Sequence, residues 1–354
     1  MNDHKYVGLD VHQASISIAV HNHQGKRISQ AIIETKIDTI RDFFKGLSGT
    51  IHVTFEEGAQ ANWLYDLLQP LVAELIVCNP IHNRLLAAGN KADAIDADRL
   101  AYLLRAGSLK SVYHAALSTR PLKELVHIYD CLVSDCTRVM NRIKAIFRSH
   151  SIRSAGRSVY LKADRDQWLA HFEQPARRMR LQLLYEELDS LNQLRHQARL
   201  AMLKEARQQP AYKKLIKVPA LGPIRVAQII ATMGTPFRFR GKRQLWAYCG
   251  LAVVTRTSSD YEFVAGKLLR KQKPAQTRGL NHNYNRRLKQ VFKSAALDAI
   301  GREPMKGYYA AMIEKKMRPE MARLTVARKI AAVVLVVWKS QEEYDETKLI
   351  KQAA

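Results

Sequence analysis

Five short apolar segments near the start of the chain have the length and residue types of β-strands, and their order constrains the fold more than any other feature. The second segment alternates polar and apolar residues with a period of two, which is typical of a half-buried strand. Helical patterns over residues 38–46 and Leu64–Leu71 separate the last three segments. The predicted strands are Lys5–Asp10, Ala14–Val20, Ile28–Glu34, Thr50–Phe55 and Glu74–Val77.

Three consecutive strands that can pair as a meander, followed by strand–helix alternation, form the order of an RNase H-like α/β domain. We predict such a domain over residues 1–115. The first and fourth strands are neighbours in a sheet of this kind. Asp10 closes the first strand and Glu56 follows the fourth. The two carboxylates are therefore expected at one edge of the sheet.

Two further carboxylates follow in the segment GNKADAIDADRLA. Asp93 and Asp96 are three residues apart, which places both on one face of a helix. Four carboxylates close together repel one another unless a cation balances them, and oxygen ligands of this kind suit Mg²⁺, which stabilises charge in phosphoryl transfer. Taken singly, each aspartate is better explained by a helix cap or a solvated face. Glu57 remains an alternative to Glu56.

A long apolar stripe marks the middle of the chain, residues 116–210. Eight positions from Leu122 to Ile146 keep an unbroken heptad register, and a helical pattern from about Ala176 to Gln208 repeats it. The segment between them, residues 150–174, has no sustained period. We predict an antiparallel helical hairpin or coiled coil that serves for dimerisation. The alternative is a bundle within one chain that has no partner.

The charge is distributed unevenly along the chain. The whole chain has 57 basic and 32 acidic residues, a formal net charge of +25. Residues 1–113 have 11 basic and 12 acidic residues, whereas residues 211–340 have 27 basic and 6 acidic residues. This excess predicts a polyanionic partner and argues against an ordinary small-metabolite enzyme. A cationic surface that merely keeps the protein soluble is the alternative.

Two motifs in the basic part, residues 211–345, are suited to nucleic acid. From about Tyr212 onward we expect short helices and basic loops. Residues 217–234, KVPALGPIRVAQIIATMG, predict a helix-hairpin-helix whose backbone N–H groups can hold a phosphate; a plain helical corner is the alternative. In residues 236–251, basic residues interleave with aromatic residues that stack on bases or anchor the element to its core. The predicted nucleic-acid contacts are Gly222, Arg225, Arg238, Arg240, Lys242, Arg243, Lys271, Arg278, Arg286 and Arg287.

Other features argue against several classes of protein. The four cysteines have no zinc-finger spacing and form no disulfide framework, which favours a reducing, cytoplasmic setting. The longest late apolar run, Ile330–Trp338, is far shorter than the roughly 20 residues of a membrane span. We therefore expect a soluble protein without a membrane partner. Since no GxxxxGK[ST] motif occurs, we expect no use of ATP.

Taken together, these motifs resemble those of the IS-one-ten family of insertion-sequence transposases, DEDD recombinases related to the Piv-type DNA invertases. VGLDVHQ, VTFEEGAQANWLYDLL and NKADAIDADRLAYLLRAG are similar to the family's N-terminal acidic motifs. VPALGPIRVAQIIATMG and FRFRGKRQLWAYCGL are similar to the helix-hairpin-helix and the RQL-AY-GL signature of its C-terminal transposase domain. The similar segments stand in the family's order over nearly the whole chain.

The resemblance implies an N-terminal RuvC-like domain with a Mg²⁺ site. It implies a nucleophilic serine, Ser258 or else Ser259, that forms a covalent phosphoserine–DNA intermediate and needs no ATP. It also implies double-stranded DNA (element ends and target) as substrate, a structured noncoding guide RNA as partner, and homodimers that assemble to tetramers in the bacterial nucleoid. The residues implied to hold the metal ion and take part in catalysis are Asp10, Glu56, Asp93 and Asp96.

Two other functions are compatible with the residues. A RuvC-like nuclease, such as a junction resolvase, would use the carboxylates without serine chemistry. A non-enzymatic scaffold would bind nucleic acid through its basic region and would be unaffected by loss of Asp10. The DNA transposase is the function that we predict.

Overall fold

The computed structural model describes residues 3–79, 93–114, 117–256, 261–270 and 276–345. They belong to two compact units, residues 1–114 and 115–354. The first unit is mixed α/β and the second is mainly helical, so the predicted combination of an α/β part and a helical part is confirmed. The finer division at residues 115 and 210 stays a prediction. None of the helices among these residues is long and apolar enough to cross a membrane.

A five-stranded sheet forms the first unit. Its strands are β1 (His4–Val11), β2 (Ser15–Asn22), β3 (Arg27–Glu34), β4 (Thr50–Glu56) and β5 (Glu74–Cys78). The order across the sheet is β3-β2-β1-β4-β5, and β1 pairs antiparallel with β2 and parallel with β4. A meander followed by parallel strands is consistent with the predicted RNase H-like arrangement.

The helices of the first unit are α1 (Ile37–Lys45), α2 (Ala61–Leu68) and α3 (Asp93–Arg105). Because successive side chains of a strand point to opposite faces of the sheet, residues of β1 contact the helices on both faces. Val7 and Leu9 enter an apolar core that contains residues of α1 and α2. Gly8, between them, faces α3.

Helix α3 approaches the sheet at Gly8 more closely than a β-carbon would permit. A Cβ atom at this position would lie 2.1 Å from the carbonyl oxygen of Ala97 and 2.5 Å from the amide nitrogen of Ala101. Ala19 of β2 is buried against the same two alanines. These small residues set the distance between α3 and the sheet.

Two long helices, α4 (Arg120–Ser149) and α6 (Pro175–Gln208), form a hairpin at the start of the second unit. The helices are antiparallel, because the early part of α4 faces the late part of α6. The contacts that show this direction are Cys136 with Asn192 and Arg142 with Glu187. The hairpin therefore forms within one chain. A role in dimerisation stays a prediction, as does the coiled-coil designation.

A short helix, α5 (Arg165–Leu169), lies between the two long helices and is tied to α6 by an arginine. The Arg165 guanidinium donates two hydrogen bonds to the Asp189 carboxylate, at 2.8 and 2.7 Å, and lies 4.6 Å from the Tyr185 ring centre. Those hydrogen bonds lower the pKa of Asp189. The segment that lacked a sustained period thus packs by polar contacts as well as by apolar ones.

The rest of the second unit is a helical bundle. Its helices are α7 (Tyr212–Leu215), α8 (Pro223–Met233), α9 (Lys242–Tyr248), α10 (Arg286–Ala299), α11 (Met305–Glu314) and α12 (Pro319–Ser340). Leu122 of α4 and Met202 of α6 share the core of this bundle. The far ends of the long helices have a separate apolar core, which includes Phe147 and Leu181.

The expectation of short helices and basic loops after Tyr212 is wrong for the described residues between 253 and 280. Four short strands lie there, β6 (Val253–Arg256), β7 (Tyr261–Val264), β8 (Lys267–Arg270) and β9 (Gln276–Leu280). β6 pairs with β9, and β7 pairs with β8. Runs of four or five residues are too short for periodicity to distinguish a strand from a loop, and only the pairing partner stabilises them.

Candidate active site

The candidate active site begins at the carboxyl end of β1. Leu9 pairs with Phe55 across the parallel strands β1 and β4, so Asp10 and Glu56 are the next residues at one edge of the sheet. This is the juxtaposition that the sequence predicted. The Asp10 side chain is three-quarters buried there, with 25% of its surface exposed.

His12 joins two of the predicted carboxylates. Its Nε2 atom lies 3.2 Å from Oδ2 of Asp10 and 3.5 Å from Oδ2 of Asp93. One ligand atom from each of the three side chains lies within 4.8 Å of the others, close enough for one metal ion to contact all three.

The first turn of α3 supplies the negative charge opposite Asp10. Asp93 and Asp96 both lie in that turn, where the helix dipole favours carboxylates. Partial burial raises the pKa of Asp10; His12 lowers it in turn, and the charges of Asp93 and Asp96 raise it further. The Asp96 carboxylate also lies 3.4 Å from the guanidinium of Arg99. The arrangement concentrates negative charge at a partly buried point, which favours binding of a cation.

The neighbouring residues Glu56 and Glu57 lie in different surroundings. The Glu57 carboxylate accepts a hydrogen bond of 3.1 Å from the His114 ring, which stacks on Tyr65 with 4.7 Å between ring centres. Glu56 lines a cavity of about 440 Å³ together with His12. The choice between the two glutamates stays a prediction, and the geometry favours Glu56.

In the second unit, a cavity of about 660 Å³ opens beside the start of α8. Two of the arginines that line it are held by carboxylates: Arg287 Nε lies 2.5 Å from Asp130, and Arg225 Nη1 lies 2.7 Å from Asp298. The hydrogen bond from Arg225 lowers the pKa of Asp298. Each of these two arginines, which the sequence predicted as nucleic-acid contacts, therefore forms an ion pair within the protein.

Two other arginines of the same cavity are arranged differently. Arg286 and Arg199 line the cavity with exposed side chains. No ion pair joins either of them to any residue that the structure describes. Gly222, the N-cap residue of α8, lines the same cavity, so the start of this helix and the two arginines border one space.

Most of the aromatic residues in 236–251 pack against the bundle or against a basic side chain, and one aromatic residue is exposed. Arg238 lies over the Tyr248 ring at 4.7 Å, and Lys242 lies 5.9 Å from the Trp246 ring centre. Phe239 is buried, and the indole of Trp246 donates a hydrogen bond to a backbone carbonyl of α12. These aromatic residues thus anchor α9 and its surroundings to the bundle. Phe237 is the exposed exception, with 68% of its surface accessible.

Two family models match the chain. A model described as "Transposase", for the DEDD domain of IS110 elements, matches residues 7–152, and one described as "Transposase IS116/IS110/IS902 family" matches residues 212–310. The chain belongs to the IS110 (IS-one-ten) family of transposases. The predicted family and the predicted class of enzyme, a DNA transposase, are thereby confirmed.

Two curated relatives of this transposase carry similar descriptions. The transposase for insertion sequence element IS1111A of Coxiella burnetii is 21% identical over 271 residues, which cover 75% of this chain and 73% of the relative. The candidate transposase y4qE of Sinorhizobium fredii is 26% identical over 270 residues, which cover 72% of this chain and 65% of the relative. The chain thus spans slightly less than two thirds of the length of y4qE.

The metal ion implied by a DEDD transposase fits the residues at the end of β1. Carboxylate oxygens are the ligands that Mg²⁺ and Mn²⁺ share, and an imidazole nitrogen is a further ligand that Mn²⁺ accepts. Asp10, Asp93 and His12 supply both kinds of atom within reach of one ion. Glu56 and Asp96 lie beside them but outside this group of three.

His12 and Arg199 are two residues of these sites that the sequence of this transposase did not lead us to predict. His12 had a usable signal. It stands two positions after Asp10 in VGLDVHQ, and a spacing of two places side chains on the same face of an extended chain. That spacing was a signal for it. Arg199 was missed for another reason: it lies on α6, distant in sequence from the basic motifs, and only the packing of α6 against α8 brings it to them.

The structure does not test the predicted roles of several residues of this transposase. Ser258, Ser259 and Lys271 are outside the described residues. Arg278 lies on β9, and Arg240 and Arg243 are exposed on either side of Gly241 at the start of α9. Their roles stay predictions.

Proposed function

We propose that this IS110-family transposase breaks and rejoins double-stranded DNA at the ends of its element and at a target, with a divalent metal ion at the end of β1 and a covalent serine intermediate. The observation that carries the proposal is the meeting of Asp10, His12 and Asp93 within 4.8 Å at the sheet edge beside Glu56. Mg²⁺ is the ion that we propose, because its usual ligands are carboxylates.

When bound, the ion would supply positive charge to stabilise the attacking and leaving oxygens of a phosphoryl transfer. Asp10 and Asp93 would hold it from a strand and a helix, with Glu56 and Asp96 completing the ligand set. His12 contacts both Asp10 and Asp93, so it orients the two carboxylates towards each other. The partial burial of Asp10 limits the access of water to this charge.

The proposed nucleophile is the Oγ atom of Ser258, with Ser259 as the alternative. In this step the Oγ–P bond forms and the P–O bond to the leaving strand breaks. The serine proton passes to a base, and the released sugar oxygen takes up a proton. Attack by a hydroxyl of another strand reverses these changes and frees the serine. The phosphodiester energy is retained, which is consistent with a sequence that has no ATP-binding motif.

The second unit is proposed to hold nucleic acid. Its support is the cavity at α8, which Arg199 and Arg286 line together with the helix N-cap, Gly222. Such contacts read phosphates rather than bases. Choice of sequence by a structured guide RNA suits such a protein, and homodimers that assemble to tetramers would provide composite active sites. Both are proposals that follow from the family resemblance.

The proposal is tested with purified transposase, its flanking noncoding transcript, and donor and target plasmids. Strand transfer is measured by sequencing across the new junctions, and the covalent adduct by a shift of labelled DNA on a denaturing gel. Asp10→Asn and Ser258→Ala are expected to abolish junctions, and Ser258→Ala to abolish the adduct. Asp42→Asn, an exposed aspartate of α1, is the matched control and is expected to retain both.

Other outcomes would identify the alternatives. If Ser258→Ala and Ser259→Ala both cleave DNA while Asp10→Asn does not, the chain acts as a metal-dependent nuclease without serine chemistry. If Asp10→Asn keeps every activity, the metal site is not used. RNA that copurifies with the protein is sequenced in parallel. A single structured transcript from the element supports a guide RNA, whereas random cellular RNA contradicts it.

A further inference from the structure

Asp98 is separated from the acidic cluster although it lies only two residues after Asp96. It points to the sheet and accepts a hydrogen bond of 2.9 Å from Nε2 of His21 on β2. The guanidinium of Arg27, on β3, lies 3.4 Å from the same oxygen. The His21 side chain is almost completely buried, with 5% of its surface exposed.

The two partners of Asp98 face it for a structural reason. His21 and Arg27 are cross-strand neighbours in the β2–β3 pair, and the register of that pair shifts between Val20 and His21. Cross-strand neighbours present their side chains on the same face of a sheet. Here that face is the one covered by α3, since Ala19, two residues before His21, is packed against Ala97 and Ala101.

The closest apolar contact between α3 and the sheet is made by small side chains and backbone. Gly8 and Ala19 meet Ala97 and Ala101, and the Cβ atom of Leu100 borders Gly8 as well. These contacts set the distance between the helix and the sheet. Two polar contacts fix the position of α3 along the sheet. One is the contact of Asp98, and the other is a long contact of 3.4 Å from Arg105 to the backbone carbonyl of His23.

The hydrogen bond to Asp98 is the one that the described residues offer to the His21 ring. The other ring nitrogen, Nδ1, is buried without a hydrogen-bond partner among them. A buried imidazole that faces a carboxylate on a neighbouring element is costly to hold unless its bond is kept. The contact therefore ties β2 to α3 at one defined residue.

We propose that the contact of His21 and Arg27 with Asp98 positions α3 so that Asp93 and Asp96 face Asp10. This inference rests on the proposed metal site. A helix turns by about 100° and rises by ~1.5 Å per residue. A slip of one residue would therefore carry both aspartates away from the end of β1. His21, Arg27 and Asp98 are positioning residues, and Asp98 is not a metal ligand.

The inference is tested by binding Mn²⁺ to the full chain, measured by isothermal titration calorimetry without DNA. Asp98→Ala and His21→Phe are expected to weaken Mn²⁺ binding by roughly 10-fold or more, the range seen for residues that support metal ligands from behind. His21→Gln keeps an N–H donor and is expected to stay within about threefold of the wild type. Arg27→Gln removes the longer contact and is expected to have a smaller effect than His21→Phe.

Glu34→Gln is the matched control, because Glu34 lies on the same sheet and pairs with Lys36 at the surface. It is expected to bind Mn²⁺ like the wild type. Hydrogen exchange of the α3 amides provides a second measurement, and faster exchange in Asp98→Ala supports the inference. If Asp98→Ala lowers the Tm yet leaves the affinity for Mn²⁺ unchanged, the contact is merely structural and the inference is overturned.

Two further variants distinguish an error in the proposed metal site from an error in the positioning inference. Asp10→Asn and Asp93→Asn are each expected to lose Mn²⁺ binding. If they bind Mn²⁺ as the wild type does, the metal site is wrong and the positioning inference falls with it. If they lose binding and Asp98→Ala, His21→Phe and Arg27→Gln do not, only the positioning inference is wrong.

Discussion

The two units of this transposase use charge in opposite ways. Residues 1–113 are nearly neutral in total, yet the structure gathers Asp10, Asp93 and Asp96 at one sheet edge, where their negative charges reinforce one another. Residues 211–340 are strongly basic, yet Arg225 and Arg287 are held by carboxylates of the same unit. Net charge indicates the class of partner but does not identify the residues that bind it.

From this comparison we expect substitutions in the acidic cluster of the first unit to have the largest effects on activity. Asp10→Asn removes a carboxylate that faces both His12 and Asp93, and we expect the rate of DNA cleavage to fall by roughly 10³-fold or more. Loss of a repelling charge should leave the fold intact. Single-turnover cleavage and binding of DNA are measured on the same preparation.

A loss of DNA binding in Asp10→Asn as large as its loss of cleavage would break the comparison, because the carboxylate would then act in substrate binding. The control is Asp42→Asn, which removes an exposed carboxylate of α1 and is expected to leave the rate of cleavage unchanged.

The next largest effect is expected from a substitution at Gly8, where α3 approaches β1 closely. Gly8→Ala inserts a Cβ atom into the backbone of α3, and we expect the free energy of unfolding of the first unit to fall by about 3 kcal/mol. Urea denaturation followed by circular dichroism measures it. Gly58→Ala is the control, since a Cβ atom there meets no atom of the described residues within 4 Å. Equal stability of the two variants would contradict the account of how α3 docks.

The ion pair between Arg165 and Asp189 allows a test of whether paired charges stabilise the second unit. Asp189→Asn removes the acceptor of two hydrogen bonds from Arg165, and we expect a loss of about 2 kcal/mol in the free energy of unfolding. Glu187→Gln is the control, because its contact with Arg142 is exposed and 3.6 Å long, and we expect it to change stability by less than about 0.5 kcal/mol.

The same pair predicts a dependence of stability on pH. The pKa of Asp189 is lowered in the folded protein, so its contribution is complete above the ordinary carboxyl pKa of about 4 and is lost as the pH falls through the lower folded value. Between pH 6 and pH 3, the wild type should lose more stability than Asp189→Asn. Parallel curves for the two proteins would show that the pair contributes nothing.

The smallest effects sharpen the comparison within the second unit. Arg286→Ala and Arg199→Ala are each expected to reduce the slope of log affinity against log salt by roughly 0.9 for double-stranded DNA, as one lost phosphate contact does. Arg287→Ala is the contrast: it removes the ion pair of Asp130 and leaves that carboxylate only its hydrogen bond from Gln228 among the described residues, so stability should fall while the slope changes less. Fluorescence anisotropy from 50 to 300 mM salt measures all three. Equal slopes for all three would mean that pairing does not separate these arginines.

Local patterns were sufficient for much of the first unit. The five predicted strands match the observed ones to within a few residues at their ends, because alternation and apolar runs are read directly from neighbouring residues. The neighbourhood of Asp10 and Glu56 followed from the strand order alone. Strands β6–β9 were not predicted, because each depends on a partner strand for its stability rather than on a pattern of its own.

The sequence by itself determined the family, the five strands of the first unit, the helical hairpin and the polyanionic class of partner, since each follows from motifs, periodicity or charge along the chain. Only the tertiary structure decided that His12 stands between Asp10 and Asp93 and that Asp98 faces His21. It also decided that Arg287 pairs with Asp130, whereas Arg286 has no ion pair with any residue that the structure describes. Adjacent residues of equal chemistry differ in role because packing, rather than residue type, sets the direction of each side chain.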